Sequence, residues 1–299
     1  MSNALAVTEE GWFVRAGRHC FTRIKDRGCN PGLIVTDDGL VFVDTPQRAS
    51  DAQAWLAAAR EKGRPLLLVN TEHHLDHCAG NGFFEVPIIA HEGTKARFFE
   101  ASPIWKSSAA DALDMFRRLD GDVPESLAHY TVTEPQITFT DRLVLSVGEL
   151  EIRIVNLPGH VPNSTVVHVP ADGVVYMSDN LFCNELPWLH EADPRAWIRA
   201  LETVQSWGAE VIVPGHGPVS SPAALETMRA FLLEFVDAIN EAIERGESEE
   251  ETVSRLDFLP RFVILSHLAA LAPKIQQAGI SRTYRLLSGA RAQRATNGE

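Results

Sequence analysis

The sequence has few features of a secreted or membrane-spanning protein. Its 299 residues include only four cysteines, and these are scattered without a Cys-x-x-Cys pair. This pattern is typical of reduced thiols rather than of a disulfide framework. The N-terminal residues combine no basic segment with an apolar one, so we expect no signal peptide. No apolar run is long enough to cross a bilayer. We therefore expect a cytoplasmic protein with no membrane partner.

The chain also lacks a basic region. Its formal net charge is −13, from 27 Lys and Arg against 40 Asp and Glu. Nucleic acids attract basic protein surfaces, so we expect no nucleic-acid partner. The composition, 45% hydrophobic and 22% charged, is typical of a globular protein. A chain of this length and composition can bury a large core.

Hydrophobic periodicity predicts several strands in the first two thirds of the chain. Residues 33–44 contain two β-rich runs around Asp37-Asp38-Gly39, which predicts a hairpin. The continuous apolar run 65–70 predicts a buried strand. Residues 150–155 alternate apolar and charged side chains, which predicts a strand with one face buried.

Helices are predicted between these strands and at the end of the chain. Ser50 is expected to cap a helix that ends before Gly63. Residues 94–132 are predicted to be mostly helical. From Ser221 onward, apolar side chains repeat at the 3.6-residue period of an amphipathic helix.

Potential metal ligands are concentrated in Thr71–Asn81, TEHHLDHCAGN. This segment directly follows a predicted strand, where active-site loops often lie. Side chains two residues apart in a loop can converge on one point, whereas adjacent side chains diverge. Glu72 and His74 are then predicted to share one metal ion. Asp76 and His77 are predicted to share a second ion.

Three further motifs supply candidate ligands, each at the end of a predicted strand and beside a turn-forming residue. One more histidine for each ion and one shared carboxylate would complete two sites that keep room for water. The candidates are His160 in Pro-Gly-His, Asp179 in Ser-Asp-Asn, and His216 in Pro-Gly-His-Gly.

The order of these motifs resembles the metallo-β-lactamase superfamily, whose pattern is H-x-H-x-D-H, then G-H, an aspartate and a late histidine. The resemblance extends from Asn30 to about Val219. It implies an α/β fold, a four-layer αββα sandwich of two similar halves with metals at one edge. We accordingly divide the chain into a metallo-β-lactamase-like domain, residues 1–220, and a C-terminal helical extension, residues 221–299. We expect the extension to pack on the domain as a lid or as a homodimer contact.

The resemblance also implies a ligand set. It comprises Glu72, His74 and His160 for the first ion, Asp76, His77 and His216 for the second, and Asp179 as the bridging carboxylate. Glu72 departs from the family pattern, which usually has a histidine there. An anionic oxygen ligand lowers the charge of the centre and shifts its preference from zinc towards iron or manganese. We therefore expect two zinc ions, with iron or manganese as the alternative that Glu72 introduces.

The resemblance implies a hydrolase that acts on a small-molecule substrate. In this hypothesis a metal-bound hydroxide attacks an ester, thioester, lactone or amide carbonyl, and Asp76 orients the nucleophile. One alternative is a diiron redox enzyme of the same fold, which would need an external reductant. Another is a catalytically degenerate member that binds metal without turnover.

Some neighbours of the motifs are predicted to have other roles. His73 and Cys78 are expected not to be ligands, and Cys78 is expected to be a buried free thiol. Phe182 and Trp188 either line the substrate pocket or belong to the core. Residues 94–132 and 181–192 are expected to determine substrate specificity.

Overall fold

Two β-sheets form the centre of the fold in the computed structural model, which describes residues 8–24, 28–98, 130 and 133–297. The first sheet contains, in spatial order, β1 Thr8–Glu10, β2 Phe13–Arg15, β3 Cys20–Thr22, β4 Gly32–Thr36, β5 Gly39–Val43, β6 Pro65–Asn70, β7 Ile88–His91 and β8 Ile137–Phe139. The second contains β9 Arg142–Val147, β10 Leu150–Asn156, β11 Thr165–Val169, β12 Val174–Tyr176 and β13 Val211–Val213, in the spatial order β13-β12-β11-β10-β9.

Parallel pairing brings several strand ends to the same edge of each sheet. Strands β1 to β5 pair antiparallel, and β5 to β8 pair parallel. In the second sheet β9 to β12 are antiparallel and β13 is parallel to β12. The hairpin predicted around Asp37-Asp38-Gly39 is confirmed as β4–β5, and the buried strand predicted at 65–70 is β6. The loops that follow β6, β12 and β13 carry candidate ligands.

The helices lie between and after these strands. They are α1 Ala49–Arg60, α2 Leu75–Cys78, α3 Glu92–Arg97, α4 Pro194–Gln205, α5 Ala223–Glu244, α6 Glu249–Arg255 and α7 Ala272–Asn297. Short 3₁₀ helices span Asn81–Phe83, Pro170–Asp172, Ser178–Asn180, Leu259–Arg261 and Ser266–Leu268.

The start of α1 corrects one prediction. Ser50 lies inside the first turn, and the N-cap is Arg48, whose extended backbone (φ −87°, ψ 139°) precedes the helix without a side-chain cap. The predicted cap was therefore wrong, because the helix begins earlier than the first good capping residue. Of the helices predicted in 94–132, α3 accounts for the first residues, and residues 99–129 lie outside the described part of the chain.

Clusters of buried apolar side chains separate four layers. Trp55 of α1 packs with Phe42 on the outer face of the first sheet. Val41, the neighbour of Phe42, points the other way and packs with Ile152 of β10 between the two sheets. This opposition follows from the two-residue period of a strand. On β10 the predicted alternation is confirmed, since Leu150, Ile152 and Ile154 are buried and the charged residues between them are exposed.

The outer face of the second sheet supports the remaining helices. Val175 of β12 packs in one cluster with Trp197 of α4 and with Leu232 and Phe235 of α5. The α/β class and the αββα layers with extra C-terminal helices are therefore confirmed. The boundary at residue 220 stays a prediction, since α5 shares its core with the second sheet. Among the helices of the described residues, none combines the length and apolar composition needed to cross a bilayer.

Candidate metal centre

The loop after β6 is anchored to both sheets. The Thr71 amide donates to Asp44 Oδ1 at 2.7 Å, and the Thr71 carbonyl accepts from the Thr165 amide at 2.9 Å. Thr71 Oγ1 also donates to Ser178 Oγ at 2.6 Å. These bonds connect the end of β6 to the β11 strand and to the loop after β12. The segment that carries four of the seven candidate ligands is therefore fixed relative to the other three.

Glu72, His74 and His160 form a first group of donor atoms, all within 4.8 Å of one another. His160 Nε2 lies 3.3 Å from His74 Nδ1 and 3.8 Å from Glu72 Oε1. Glu72 Oε2 contacts His74 Nδ1. Glu72 is fully buried and His160 is 1% exposed. The three residues predicted for the first ion are thus brought together.

Asp76, His77, Asp179 and His216 form a second group within the same 4.8 Å limit. Asp179 Oδ1 lies 3.2 Å from His77 Nε2 and 3.3 Å from His216 Nε2. Asp76 Oδ2 lies 3.3 Å from His216 Nε2. The other oxygen of Asp179, Oδ2, faces the first group, 3.7 Å from His160 Nε2. Asp179 therefore lies between the two groups, in the place expected of a bridging carboxylate.

Tight backbone packing positions Asp179 and His216. Asp179 lies in the 3₁₀ helix after β12, and the positive φ of Ser178 (52°) turns the chain there. Gly215 precedes His216, and a Cβ at Gly215 would lie 2.1 Å from Asp179 Oδ1. Only glycine allows this approach of the two loops. Phe182 stacks on the His216 ring at 5.0 Å between centroids.

Hydrogen bonds orient the buried imidazoles. His77 Nδ1 lies 2.8 Å from Asp44 Oδ2, and His160 Nδ1 donates to the Trp188 carbonyl at 2.7 Å. In each ring the other nitrogen, Nε2, is left facing the donor group. Such partners fix the tautomer and the direction of a metal-binding histidine. Asp44 and Trp188 therefore support the ligands without joining them.

Glu191 supports the third imidazole, and the sequence did not predict it. Its Oε1 lies 3.5 Å from His74 Nε2, and its Oε2 pairs with Arg97 of α3 at 2.5 Å. A carboxylate behind a metal-binding histidine is a common arrangement. No local motif marks Glu191, because its partners are distant in the sequence.

The donor atoms fit divalent cations. Glu72 Oε1 and Oε2, His77 Nε2 and Asp179 Oδ1 are buried and have no hydrogen-bond partner of ordinary geometry. Leaving such atoms unsatisfied costs about 1–3 kcal/mol each. Imidazole nitrogens and carboxylate oxygens are ligands that zinc, iron and manganese accept. A cation at each group would satisfy these atoms.

The protonation states of these side chains also favour the binding of divalent cations. Burial raises the pKa of Glu72, but the His74 and His160 imidazoles outweigh it and bring the pKa to about 2. Burial lowers the pKa of His74 and His216, yet the neighbouring carboxylates raise both to about 10. Burial also opposes ionisation of Asp179, whose pKa is nonetheless held well below its usual value by His216. Protons on imidazoles thus balance the buried carboxylates, and divalent cations would displace those protons.

His73 and Cys78 have other partners. His73 Nδ1 lies 3.3 Å from the Asn163 side-chain amide, and burial, then His74, lowers the His73 pKa to about 4. It can still join His74 and Glu191 in a third group of donor atoms. Cys78 Sγ donates to the Glu72 carbonyl at 3.0 Å. All four cysteines are buried and free, as expected.

A cavity of about 480 Å³ opens beside the two donor groups. His74, Asp76, His160, Asp179 and His216 lie in its wall. Phe182 and Trp188 also line this cavity. Phe182 belongs to the buried cluster beside the second sheet and Trp188 packs against it, so a role of either in substrate binding stays a prediction. The loop 181–192 supplies several lining residues, and a segment of the C-terminal extension, residues 263–272, supplies others.

Relatives of known activity are hydrolases. The linear primary-alkylsulfatase of a Pseudomonas species is 24% identical over 281 residues, which cover 82% of this chain and 52% of that protein. The hydroxyacylglutathione hydrolase of Mesorhizobium japonicum is 25% identical over 199 residues, which cover 64% of this chain and 63% of that protein. The chain thus spans less than two thirds of the length of each.

Solved structures share the fold. The inverting sec-alkylsulfatase Pisa1 of a Pseudomonas species superposes with a TM-score of 0.65 at 15% identity, over 91% of this chain and 49% of that one. A metallo-beta-lactamase from Pontibacter korlensis superposes with a TM-score of 0.56 at 18% identity, over 76% of this chain and 98% of that one. The family model of the metallo-beta-lactamase superfamily matches residues 24–216, more than half of the 299 residues. The chain therefore belongs to the metallo-beta-lactamase superfamily.

Proposed function

We propose that the protein is a metal-dependent hydrolase with a dinuclear centre. It would cleave an ester, thioester, lactone or amide bond of a small organic substrate. One observation carries the proposal: Asp179 of the second donor group also lies 3.7 Å from His160 Nε2 of the first, and both groups open on a cavity of about 480 Å³. The proposed ligands are Glu72, His74 and His160 for one cation, Asp76, His77 and His216 for the other, and Asp179 for both.

The chemistry divides between the cations and the side chains. Bound divalent cations lower the pKa of a water molecule and stabilise negative charge on a carbonyl oxygen. Asp76 is partly exposed and lies in the cavity wall, with Oδ2 3.3 Å from His216 Nε2. We assign Asp76 the role of accepting a proton from the attacking water and passing it to the leaving group.

The identity of the metal is a separate part of the proposal. Six of the seven donors match the usual family pattern, and zinc suits a mixed set of imidazoles and carboxylates. Glu72 adds a third carboxylate, which favours iron or manganese more than a histidine would. We propose zinc as the resident metal, with iron or manganese as the alternative.

The relatives support hydrolysis more than they support one substrate. One named relative acts on alkyl sulfates and another on a glutathione thioester. An acyl-coenzyme A thioesterase of Gallus gallus is also 23% identical over 201 residues, which cover 64% of this chain and 70% of that protein. The substrates to test therefore include carbonyl esters, thioesters, lactones, amides and alkyl sulfates.

The test combines metal analysis with this substrate panel. Protein purified without added metal is expected to hold about two zinc ions per chain and to hydrolyse at least one class of bond. Bound iron with visible absorption and oxygen consumption would instead favour the diiron redox alternative. Bound metal without turnover on any member would favour a non-catalytic role. Glu72→His, analysed in parallel, shows whether the glutamate selects the metal.

A further inference from the structure

The cavity wall beyond the metal ligands is mostly apolar. Of the fourteen lining residues that are not proposed ligands, nine are apolar, among them Leu186 and Trp188 from the loop after β12. Ile264, Leu265 and Leu268 contribute a second apolar surface from the C-terminal extension. None of the lining residues that the structure describes is Lys or Arg, and the ionisable side chains other than the proposed ligands are those of Glu185, His190 and His267.

The apolar segment, residues 263–272, is attached to the loop that carries Glu185 and Leu186. The Val263 amide donates to the Asn184 carbonyl at 2.8 Å, and Val263 pairs with Glu185 in a short parallel bridge. Leu186 packs in a cluster with Ala272. The extension is therefore a wall of the cavity and not a separate appendage. This wall lies beyond residues 24–216, so the family match carries no information about it.

Such a wall discriminates by charge. Burying an aliphatic chain against it is favourable in proportion to the apolar surface removed from water. An ionised group in the same place loses water and meets no Lys or Arg, which is costly. The cations at the metal ligands could hold one anionic group, but only at the reacting end of a substrate.

We propose that the group bound against this wall is an uncharged aliphatic or aryl acyl chain, and that the cavity rejects acyl chains with an anionic end. This inference rests on the proposed hydrolase function and adds the substrate class. The selecting residues are those of the apolar segment together with Leu186 and Trp188.

The experiment uses two thioesters of the neutral thiol N-acetylcysteamine. One carries an octanoyl group and the other the same chain with a terminal carboxylate, so the bond cleaved is identical. We expect kcat/KM to be about tenfold or more higher for the octanoyl thioester, because the carboxylate loses water at a wall that supplies no Lys or Arg. Equal rates, or a preference for the carboxylate, would overturn the inference.

A matched pair of variants locates the selectivity. Leu268→Lys places an ammonium in the wall. It is expected to lower the ratio of kcat/KM for the octanoyl thioester to that for the carboxylate-bearing thioester at least severalfold, because the ammonium attracts the carboxylate. Leu271→Lys is the control, since Leu271 is 41% exposed and is absent from the lining residues. An equal effect of the two variants would show that the wall is not responsible.

Calorimetry separates this inference from the hydrolase proposal. Ketone analogues of both thioesters, with a methylene in place of sulfur, cannot be hydrolysed. Tighter binding of the octanoyl ketone, with no turnover of either thioester or of any substrate in the panel, would support the cavity inference and reject the hydrolase proposal. Turnover of both thioesters, with no preference for the octanoyl group in the kinetics or the calorimetry, would support the hydrolase proposal and reject the cavity inference.

Discussion

The substitution Glu72→Gln tests the least usual feature of the centre. It removes one negative charge while it keeps the size of the side chain. Glu72 is fully buried, and its oxygens face the imidazoles of His74, His77 and His160. The loss of charge is therefore expected to appear directly in metal affinity.

The size of the effect follows from the distances. Glu72 Oε1 lies 3.8 Å from Nε2 of His160, a proposed ligand of the first cation, and 3.5 Å from Nε2 of His77, a proposed ligand of the second. A pair of unit charges at such a distance interacts by about 5 kcal/mol at an effective dielectric constant of about 20. The cost of burying the carboxylate offsets several kcal/mol of this. We expect a net loss of about 2–3 kcal/mol, or roughly 30- to 150-fold weaker binding of one ion.

Competition with a chelator of known affinity measures this loss, and metal analysis counts the ions retained. Glu185→Gln is the matched control, because Glu185 lines the same cavity but belongs to neither donor group. It is expected to change the affinity by less than about threefold. If Glu72→Gln kept both ions with wild-type affinity, Glu72 would not be a ligand, and the charge argument would be refuted.

Three further outcomes are expected. Glu191→Gln should weaken metal binding about 10- to 100-fold by releasing His74 Nε2, and an unchanged affinity in the chelator assay would reject that support. Since the pKa values of His74 and His216 are raised to about 10, a cation must displace their protons, so metal affinity should rise from about pH 6 to about pH 8. A flat profile would contradict this. Leu232→Ala in the core should lower the free energy of unfolding by about 2–5 kcal/mol in urea denaturation. Leu233→Ala, 37% exposed on the same helix, should lower it by less than about 1 kcal/mol, and similar losses would argue against a shared core.

Local patterns predicted the elements near the centre well. The apolar run 65–70 became β6 with the same ends, and its second half, residues 68–70, is buried. Asp193 followed by Pro194 is a typical pattern for the start of a helix, and α4 begins there with Asp193 accepting from two backbone amides. Ser248 and Glu251 have the spacing of a capping box, and that box forms at the start of α6. In each case the residues that carry the pattern lie within a few positions of the helix or strand that they specify.

The two-residue spacing rule anticipated that Glu72 and His74 converge, and both meet His160. Asp76 and His77 are adjacent, so the rule does not explain why they meet at His216 from the short helix α2. That these groups bind metal stays a prediction. The homodimer contact and the lid role of the extension likewise stay predictions.

Long-range contacts could not be predicted. Arg97 and His74 meet at Glu191 although they lie far from it in the sequence. The cavity wall at 263–272 has an apolar composition that would equally suit a buried core. Periodicity identifies which face is apolar, but it does not identify what that face covers. What the apolar face covers is decided by the packing of α5 to α7 against the outer side of the second sheet.

The donors are divided between the two sheets, so bound metal is expected to stabilise the folded state as well as the site. Four donors follow β6 of the first sheet, and three follow strands of the second. A cation held by both would add to the apolar packing and to the Thr71 hydrogen bonds that already join the two sheets. Such binding adds about 4 kcal/mol to folding when the free ion exceeds its Kd about 1,000-fold. Scarcity of metal would then reduce the abundance of the protein through unfolding and proteolysis, in addition to the activity of each molecule.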